Sequence, residues 1–206
     1  METKLKKRWD ASVERVNDIL EDVKVLLNYS EEDLQILQSY STTLQSWADE
    51  IIEEFYKVLL KDDRAKRIIE ENNIDLNRLK AANKRWYLQI VSGEIDENFF
   101  LYSFFVGLVH IRYGVDNHLM IFMADVLRRK FLELALKNFD KEEAFKIYQS
   151  FSKIVAAFVG MTVEGYIFML QKAFLDILGM KPELVQRLLT MELEQTLKSF
   201  RKQLGR

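Results

Sequence analysis

Cysteine is absent from this sequence, and proline and glycine are scarce. The 206 residues include no cysteine, one proline (Pro182) and seven glycines. Without a thiol, this chain has no disulfides, cysteine nucleophiles, iron–sulfur clusters or cysteine-bound zinc. Sheet folds need many tight turns, so the shortage of turn-forming residues favours a chain built of long helices.

A strong excess of charge of one sign is also missing. Thirty Lys and Arg residues face 32 Asp and Glu residues, which removes the electrostatic basis for binding nucleic acid or an anionic membrane. The positively charged start of the chain is not followed by the apolar core of a secretory signal. The longest apolar run, residues 99–111, is interrupted by Ser103 and His110 and is too short to span a bilayer. We therefore expect a soluble, cytoplasmic protein with no nucleic-acid partner and no membrane span.

Hydrophobic spacing and capping residues predict seven or eight helices. Their expected ranges are about 5–27, 30–40, 44–61, 75–92, 96–113, 116–138, 141–178 and 183–204. The first helix carries a narrow apolar seam, which favours docking on the body of the protein over a coil between subunits. The helix over 141–178 is apolar on more than one face, so we expect one of its sides to meet another subunit.

One histidine stands out as a candidate functional residue. The sequence has only His110 and His118, and Gly114 separates them, so a two-histidine metal site is not supported. His110 lies in an otherwise apolar helix, where an unpartnered imidazole costs on the order of 1–3 kcal/mol. Either a backbone carbonyl or a tyrosine satisfies its nitrogens, or the imidazole is an axial ligand of a haem iron. Gly107, one turn earlier, would let a flat macrocycle or another helix approach closely.

Other patterns of catalytic residues are missing. No phosphate-binding glycine loop, Ser/His/Asp order or nucleophile elbow occurs. Carboxylate pairs such as Glu53-Glu54 are typical of a solvated helix face. Lys80 and Lys84 are one turn apart and would reach the acid groups of a haem, but an exposed helix surface explains them equally well. No catalytic residue is assigned.

The residues around His110 resemble the proximal-histidine segment of protoglobins and globin-coupled sensors. The family pattern is Ile/Val-Gly-x-x-His-x-x-Ile-Gly, and this chain reads Val106-Gly107-Leu108-Val109-His110-Ile111-Arg112-Tyr113-Gly114. Four further segments follow the family order within residues 30–168: Glu54-Phe55-Tyr56, Asn77-Arg78-Leu79-Lys80, Ser92-Gly93-Glu94-Ile95-Asp96 and Val163-Glu164-Gly165-Tyr166-Ile167.

This resemblance implies an all-α globin fold of the sensor-globin type with an extra N-terminal helix and an extra C-terminal helix. It implies a sensor-globin domain over 1–179, in which residues 1–28 form the extra helix and residues 30–179 the globin core. Residues 180–206 would form the C-terminal amphipathic helix. The expected cofactor is haem b, with its iron held by His110. A homodimer is expected through the helices at about 117–138 and 141–178, and the sequence does not identify an output partner.

The resemblance also implies a set of cofactor-binding residues: Phe55, Tyr56, Leu79, Ala82, Trp86, Val106, Gly107 and Met120. On the distal side, Tyr56 is expected to donate a hydrogen bond to a diatomic gas, which is dioxygen, nitric oxide or carbon monoxide. The alternative is a core tyrosine whose hydroxyl is bonded elsewhere.

Two departures from the family pattern matter for this site. Leu119-Met120 replaces an aromatic pair whose tyrosine can bond the proximal histidine, so a main-chain carbonyl is expected to orient His110 instead. Ala82 stands where some relatives carry threonine, which leaves Tyr56 as the main distal donor.

Three functions are consistent with these residues. The predicted one is a haem globin that binds a diatomic gas, as a sensor and not as an enzyme. The second is a haem-free, globin-like module for signalling or interaction. The third is a haem globin with peroxidase or nitric-oxide dioxygenase activity, which ranks last because no distal His or Arg pair is apparent to assist O–O cleavage.

Overall fold

The computed structural model describes the backbone of residues 2–204, and the side chains of Lys6 and of residues 9–204. Over that range the chain forms ten helices and no strand. They are α1 (Glu2–Leu26), α2 (Glu31–Ser39), α3 (Ser41–Ser46), α4 (Ala48–Leu59), α5 (Asp63–Glu71), α6 (Leu76–Val91), α7 (Glu97–Tyr113), α8 (Asn117–Asn138), α9 (Lys141–Leu178) and α10 (Pro182–Gln203).

The predicted count of seven or eight helices was wrong in two places. The helix expected over 44–61 is divided at Trp47, which lies between α3 and α4 and packs edge-on against the Phe131 ring, with the centroids 5.5 Å apart. The second miss is α5, whose backbone begins where Asp62 Oδ1 accepts a hydrogen bond from the Ala65 amide at 2.7 Å. This helix is only nine residues long, shorter than the stretch over which hydrophobic periodicity identifies a helix, and Ala65 is its one buried residue.

The chain divides into two compact units, one up to Tyr166 and one from Ile167 onwards. The first unit holds a dense aromatic core, in which the Phe131 and Phe151 rings stack with centroids 3.8 Å apart. Buried Tyr87 joins this core to α3, because its hydroxyl donates a hydrogen bond to the Leu44 carbonyl at 2.8 Å. The second unit contains the end of α9 and all of α10, and α10 has no buried residue.

Helix α1 packs against the rest of the first unit, as the sequence predicted. Val16, Ile19 and Val23 on its inner side are buried. An ion pair of 2.8 Å between Arg15 Nη2 and Glu164 Oε2 ties α1 to α9. Val16 and Val23 of the apolar seam are therefore covered by this chain's own helices, whereas Trp9 at its start is 58% exposed.

Helix α9 is long and apolar enough, by length and composition, to cross a membrane, and it is the one such helix in residues 2–204. A core helix of a soluble protein has the same properties. Ile147, Phe151, Ile154 and Val155 of α9 are fully buried in the first unit, which accounts for part of its apolar character. Other large apolar side chains of the same helix, such as Phe145 and Phe174, are exposed.

Helices α7 and α9 touch through their backbones three residues before His110. A Cβ atom on Gly107 would collide with the Thr162 carbonyl and the Tyr166 amide, and one on Gly165 would collide with the Phe104 carbonyl. The Thr162 hydroxyl adds a hydrogen bond across the crossing, to the Ser103 carbonyl at 3.0 Å. This contact fixes the position of the helix that carries His110.

We expect Gly165→Ala to destabilise the protein, because the new methyl group has no space between two backbones. The free energy of unfolding, measured by urea titration, should fall by about 3 kcal/mol. Gly160→Ala is the matched control, since a Cβ atom there meets nothing within 4 Å, and alanine in a helix is better than glycine by up to about 1 kcal/mol. Equal stability of the two variants would contradict the close crossing.

Candidate functional site

A large apolar cavity lies inside the first unit. Its volume is about 730 Å³, a size typical of small-molecule and cofactor sites. Helices α4 to α9 all contribute to its walls. The lining residues are Ile52, Phe55, Tyr56, Leu59, Ala65, Ile68, Ile69, Asn72, Asn73, Ile74, Asp75, Arg78, Leu79, Ala82, Asn83, Trp86, Tyr102, Val106, Val109, His110, Tyr113, Val115, Leu119, Met120, Met123, Ala124, Leu127, Phe158 and Val159.

One wall of the cavity carries His110, in the last turn of α7. The helix ends four residues later at Gly114, whose φ of 67° is a left-handed conformation that glycine adopts without strain. Burial lowers the pKa of His110 below its usual value, because the imidazolium form loses its hydration. The ring is therefore a neutral imidazole at neutral pH.

Neither ring nitrogen of His110 has a hydrogen-bond partner among residues 2–204, and Nδ1 is completely shielded from solvent. Neither a backbone carbonyl nor a tyrosine therefore bonds this ring, although the sequence left both open as partners. The expectation that a main-chain carbonyl orients His110 was also wrong, since none accepts from Nδ1. Met120 lines the cavity at the position of the family tyrosine, and its thioether is only a weak acceptor.

Another wall of the cavity carries Tyr56, which is 1% exposed. The Tyr56 hydroxyl oxygen accepts a hydrogen bond from Asn83 Nδ2 at 2.8 Å. Burial raises the pKa of Tyr56, so the hydroxyl keeps its hydrogen at neutral pH. That hydrogen is donated to no other atom in the part of the chain that the structure describes.

The structure brings most of the predicted site residues to this cavity. Seven of the eight predicted cofactor-binding residues line it together with His110, namely Phe55, Tyr56, Leu79, Ala82, Trp86, Val106 and Met120. Gly107 does not line it, because the backbone of α9 occupies the space beside its Cα atom. The sequence left either a flat macrocycle or another helix as the neighbour of Gly107, and the structure shows that the neighbour is helix α9.

The two lysines considered for the acid groups of a haem do not line the cavity. Lys80 Nζ binds both carboxylate oxygens of Glu53, at 2.8 and 2.9 Å, and Lys84 Nζ binds Asp49 Oδ1 at 2.5 Å. Arg78 lines the cavity instead, and this exposed side chain makes no ion pair among the described residues. Its spacing from Ala82 and Trp86 on α6 was the signal that places it on the same face.

Sequence reasoning also missed Asn83, although it lies four residues after Leu79 on the inner face of α6. A polar residue within a helix is more often on the surface, so its type concealed its position. Trp86, one turn further, has a buried Nε1 with no acceptor, and its ring lies 4.7 Å from that of Phe158.

The residues of the cavity fit a haem. His110 offers one unpaired, uncharged imidazole beside a large apolar space, which suits a metal that is already held in a macrocycle. No cluster of three or more His, Cys, Asp or Glu residues that could hold a bare metal ion occurs in the described chain. Arg78 supplies a free cation for an acid group at the cavity.

The lowered pKa of His110 predicts a pH-dependent stability of the haem-free protein. As the pH falls through about 6.5, the unfolded chain takes up a proton at this residue and the folded chain does not. Stability should therefore fall with the pH and level off below the folded-state pKa. In urea titrations between pH 7.5 and 5, His110→Gln should lose less stability than the wild type, whereas His118→Gln, at an exposed site, should follow it. Parallel curves for all three proteins would contradict a buried neutral His110.

Known proteins resemble this chain over about three quarters of its length. Residues 16–168 match the family model described as Protoglobin. No curated protein matches the chain significantly.

Among solved structures, the globin domain of the Geobacter sulfurreducens globin-coupled sensor is similar, with a TM-score of 0.65 and 22% identity, over 71% of this chain and 96% of the other. The ferric globin domain of E. coli DosC is similar with a TM-score of 0.52 and 15% identity, over 75% of this chain and 99% of the other. The ferrous form of the same domain is similar with a TM-score of 0.51 and 16% identity, over 74% of this chain and 97% of the other.

These likenesses confirm the all-α globin fold that the sequence predicted, and α1 and α10 are the expected extra helices. Because the family match covers well over half of the sequence, this chain belongs to the protoglobin family.

Proposed function

We propose that this protein binds haem b through His110 and reversibly binds a diatomic gas, as the input step of a sensor. The observation that carries the proposal is a half-buried, neutral imidazole, with a shielded and unpaired Nδ1, in the wall of an apolar cavity of about 730 Å³ that also carries a tyrosine hydroxyl with a free hydrogen. Haem would supply an iron with a free coordination position for the gas.

His110 would hold the iron through Nε2, because Nδ1 is shielded inside the protein. Its lowered pKa keeps the lone pair of the imidazole available at and below neutral pH. Nδ1 would keep its hydrogen without an acceptor, so this histidine lacks the polarising partner that most metal-bound histidines have. The chain would therefore supply a neutral, weakly basic imidazole to hold the iron.

The cavity combines apolar surface with two donors that have no acceptor, the Tyr56 hydroxyl and the buried Trp86 Nε1. Phe55, Leu79 and Ala82 present apolar surface to the cavity. The Tyr56 hydroxyl would donate to a gas that gains negative charge on binding, such as dioxygen, and much less to carbon monoxide. A hydrogen bond to such charge is worth roughly 1.5–3 kcal/mol.

Reversible binding fits this cavity better than catalysis. Its walls contain no histidine besides His110, and a single arginine, Arg78, whose side chain is exposed. There is thus no distal His and Arg pair to assist O–O cleavage, and protoglobins and sensor globins bind gases as sensors. Peroxidase and nitric-oxide dioxygenase activities are therefore not part of the proposal.

Helices α8 and α9 would form the homodimer contact and carry the signal. Large apolar side chains on both are exposed, including Ile121, Phe122 and Leu136 of α8 and Phe145 of α9. The Gly107–Gly165 crossing connects the His110 helix directly to α9, so a shift of His110 would reach this surface. In this proposal residues 1–179 form the sensor-globin domain, residues 180–206 the C-terminal helix, and the protein is cytoplasmic.

We expect His110→Ala to abolish stable haem binding. The purified wild type, reconstituted with haem if necessary, should show a Soret band, and the variant should lose it and regain it with added imidazole. His118→Ala is the control, because His118 is exposed and its Nδ1 lies 3.9 Å from Asp116. A wild type that takes up no haem on reconstitution would refute the proposed function and leave the haem-free interaction module.

Tyr56→Phe should accelerate dioxygen release and leave carbon monoxide release nearly unchanged. Loss of one hydrogen bond to a charged acceptor predicts an increase of about ten- to a hundredfold in the dioxygen dissociation rate. Stopped-flow and flash-photolysis measurements on the haem-loaded protein test this difference. If both gases are released faster by the same factor, the substitution acts through packing and Tyr56 is not a distal donor.

A further inference from the structure

The amide of Asn83 makes the single hydrogen bond that Tyr56 receives inside the protein. Asn83 Nδ2 donates to the Tyr56 hydroxyl oxygen at 2.8 Å, from α6 to α4, and both side chains line the cavity. A phenol oxygen that accepts from an amide has its own hydrogen left to donate. No described residue accepts that hydrogen, although the tyrosine is 1% exposed.

We propose that Asn83 is a positioning residue that fixes Tyr56 as a hydrogen-bond donor toward the cavity. This inference rests on the proposed function, because it names the residue that sets the gas preference of the same site. Asn83 does not touch the gas in this scheme. It determines which way the tyrosine hydroxyl points.

The geometry leaves few other influences on the direction of that hydroxyl. Lys80 Nζ lies 5.7 Å from the centre of the Tyr56 ring, over its face, and is held by Glu53 on the surface. The Phe55 ring, 5.2 Å away, is apolar. The amide of Asn83 is thus the polar group that decides between donation and acceptance at the Tyr56 oxygen. An amide hydrogen bonded to that oxygen also strengthens the hydroxyl as a donor.

The direction in which the Tyr56 hydroxyl donates determines which kind of gas the site would favour. A fixed donor favours a gas whose outer atom accepts a hydrogen bond, and it adds little for one whose outer atom is a poor acceptor. Asn83 would therefore set the preference for dioxygen over carbon monoxide without changing the volume of the cavity. An acceptor at position 83 would instead take the tyrosine hydrogen and remove it from the gas.

Asn83→Asp tests this inference, because a carboxylate has nearly the same shape and can only accept. We expect dioxygen release from the haem-loaded protein to become at least about tenfold faster, and carbon monoxide release to change less than about twofold. In the Tyr56→Phe background the same substitution should change dioxygen release by less than about twofold. The C–O stretching frequency of the carbon monoxide complex should rise in Asn83→Asp as the donor turns away.

Asn77→Asp is the matched control, since it adds the same charge to an exposed position of α6 outside the cavity. It should leave both release rates unchanged. Asn83→Asp release rates equal to those of the wild type, equal effects on both gases, or an undiminished effect in the Tyr56→Phe background would each overturn the role of Asn83.

A measurement that does not depend on haem separates this inference from the proposed function. In the purified protein labelled with ¹⁵N, the side-chain amide hydrogens of Asn83 should exchange slowly with water, and Tyr56→Phe should abolish that protection. This result together with no haem uptake would refute the gas-binding function alone. An unprotected amide in the wild type would overturn the role of Asn83, whether or not haem binds.

Discussion

The close backbone contact between α7 and α9 is the constraint on which the site depends. Two glycines, Gly107 and Gly165, remove both Cβ atoms at the crossing, and any side chain there would enter the opposite backbone. Packed helices at this distance have few alternative arrangements, because protein interiors are dense and deform little. The position of His110, one turn beyond Gly107, is therefore set by the crossing and not by bonds to its own ring.

This explains how an imidazole with no hydrogen-bond partner keeps a defined place. In most metal sites an acceptor on the second nitrogen orients the histidine, and here no described residue provides one. The packing of α7 against its neighbours orients the ring instead, and burial keeps the ring uncharged. The His110 wall is thus neutral and apolar, so in the proposed function the discrimination between gases falls to the Tyr56 hydroxyl, which Asn83 bonds.

Much of the fold was predictable from local signals. Caps at Asp75 and Asp96 and the stop at Gly114 predicted the limits of α6 and α7 to within a residue or two. The failures occurred where local signals are weak or are overridden. Helix α5 is short and mostly charged, and Trp47, at the break between α3 and α4, contacts Phe131 on α8, which is distant in the sequence.

Residue types and their spacing by themselves determined the helical class and singled out His110 as a polar residue in an otherwise apolar helix, because periodicity and the cost of burying polar groups are local in the sequence. The seven other residues of the cavity lining that were expected came from the resemblance to sensor globins and not from these patterns. Only the tertiary structure decided that α9 lies beside Gly107, that Lys80 and Lys84 are bound to carboxylates of α4, and that Asn83 meets Tyr56. Each of these joins residues at least 27 positions apart, and the pairing of distant residues is fixed by how helices pack together and not by the pattern within any one of them.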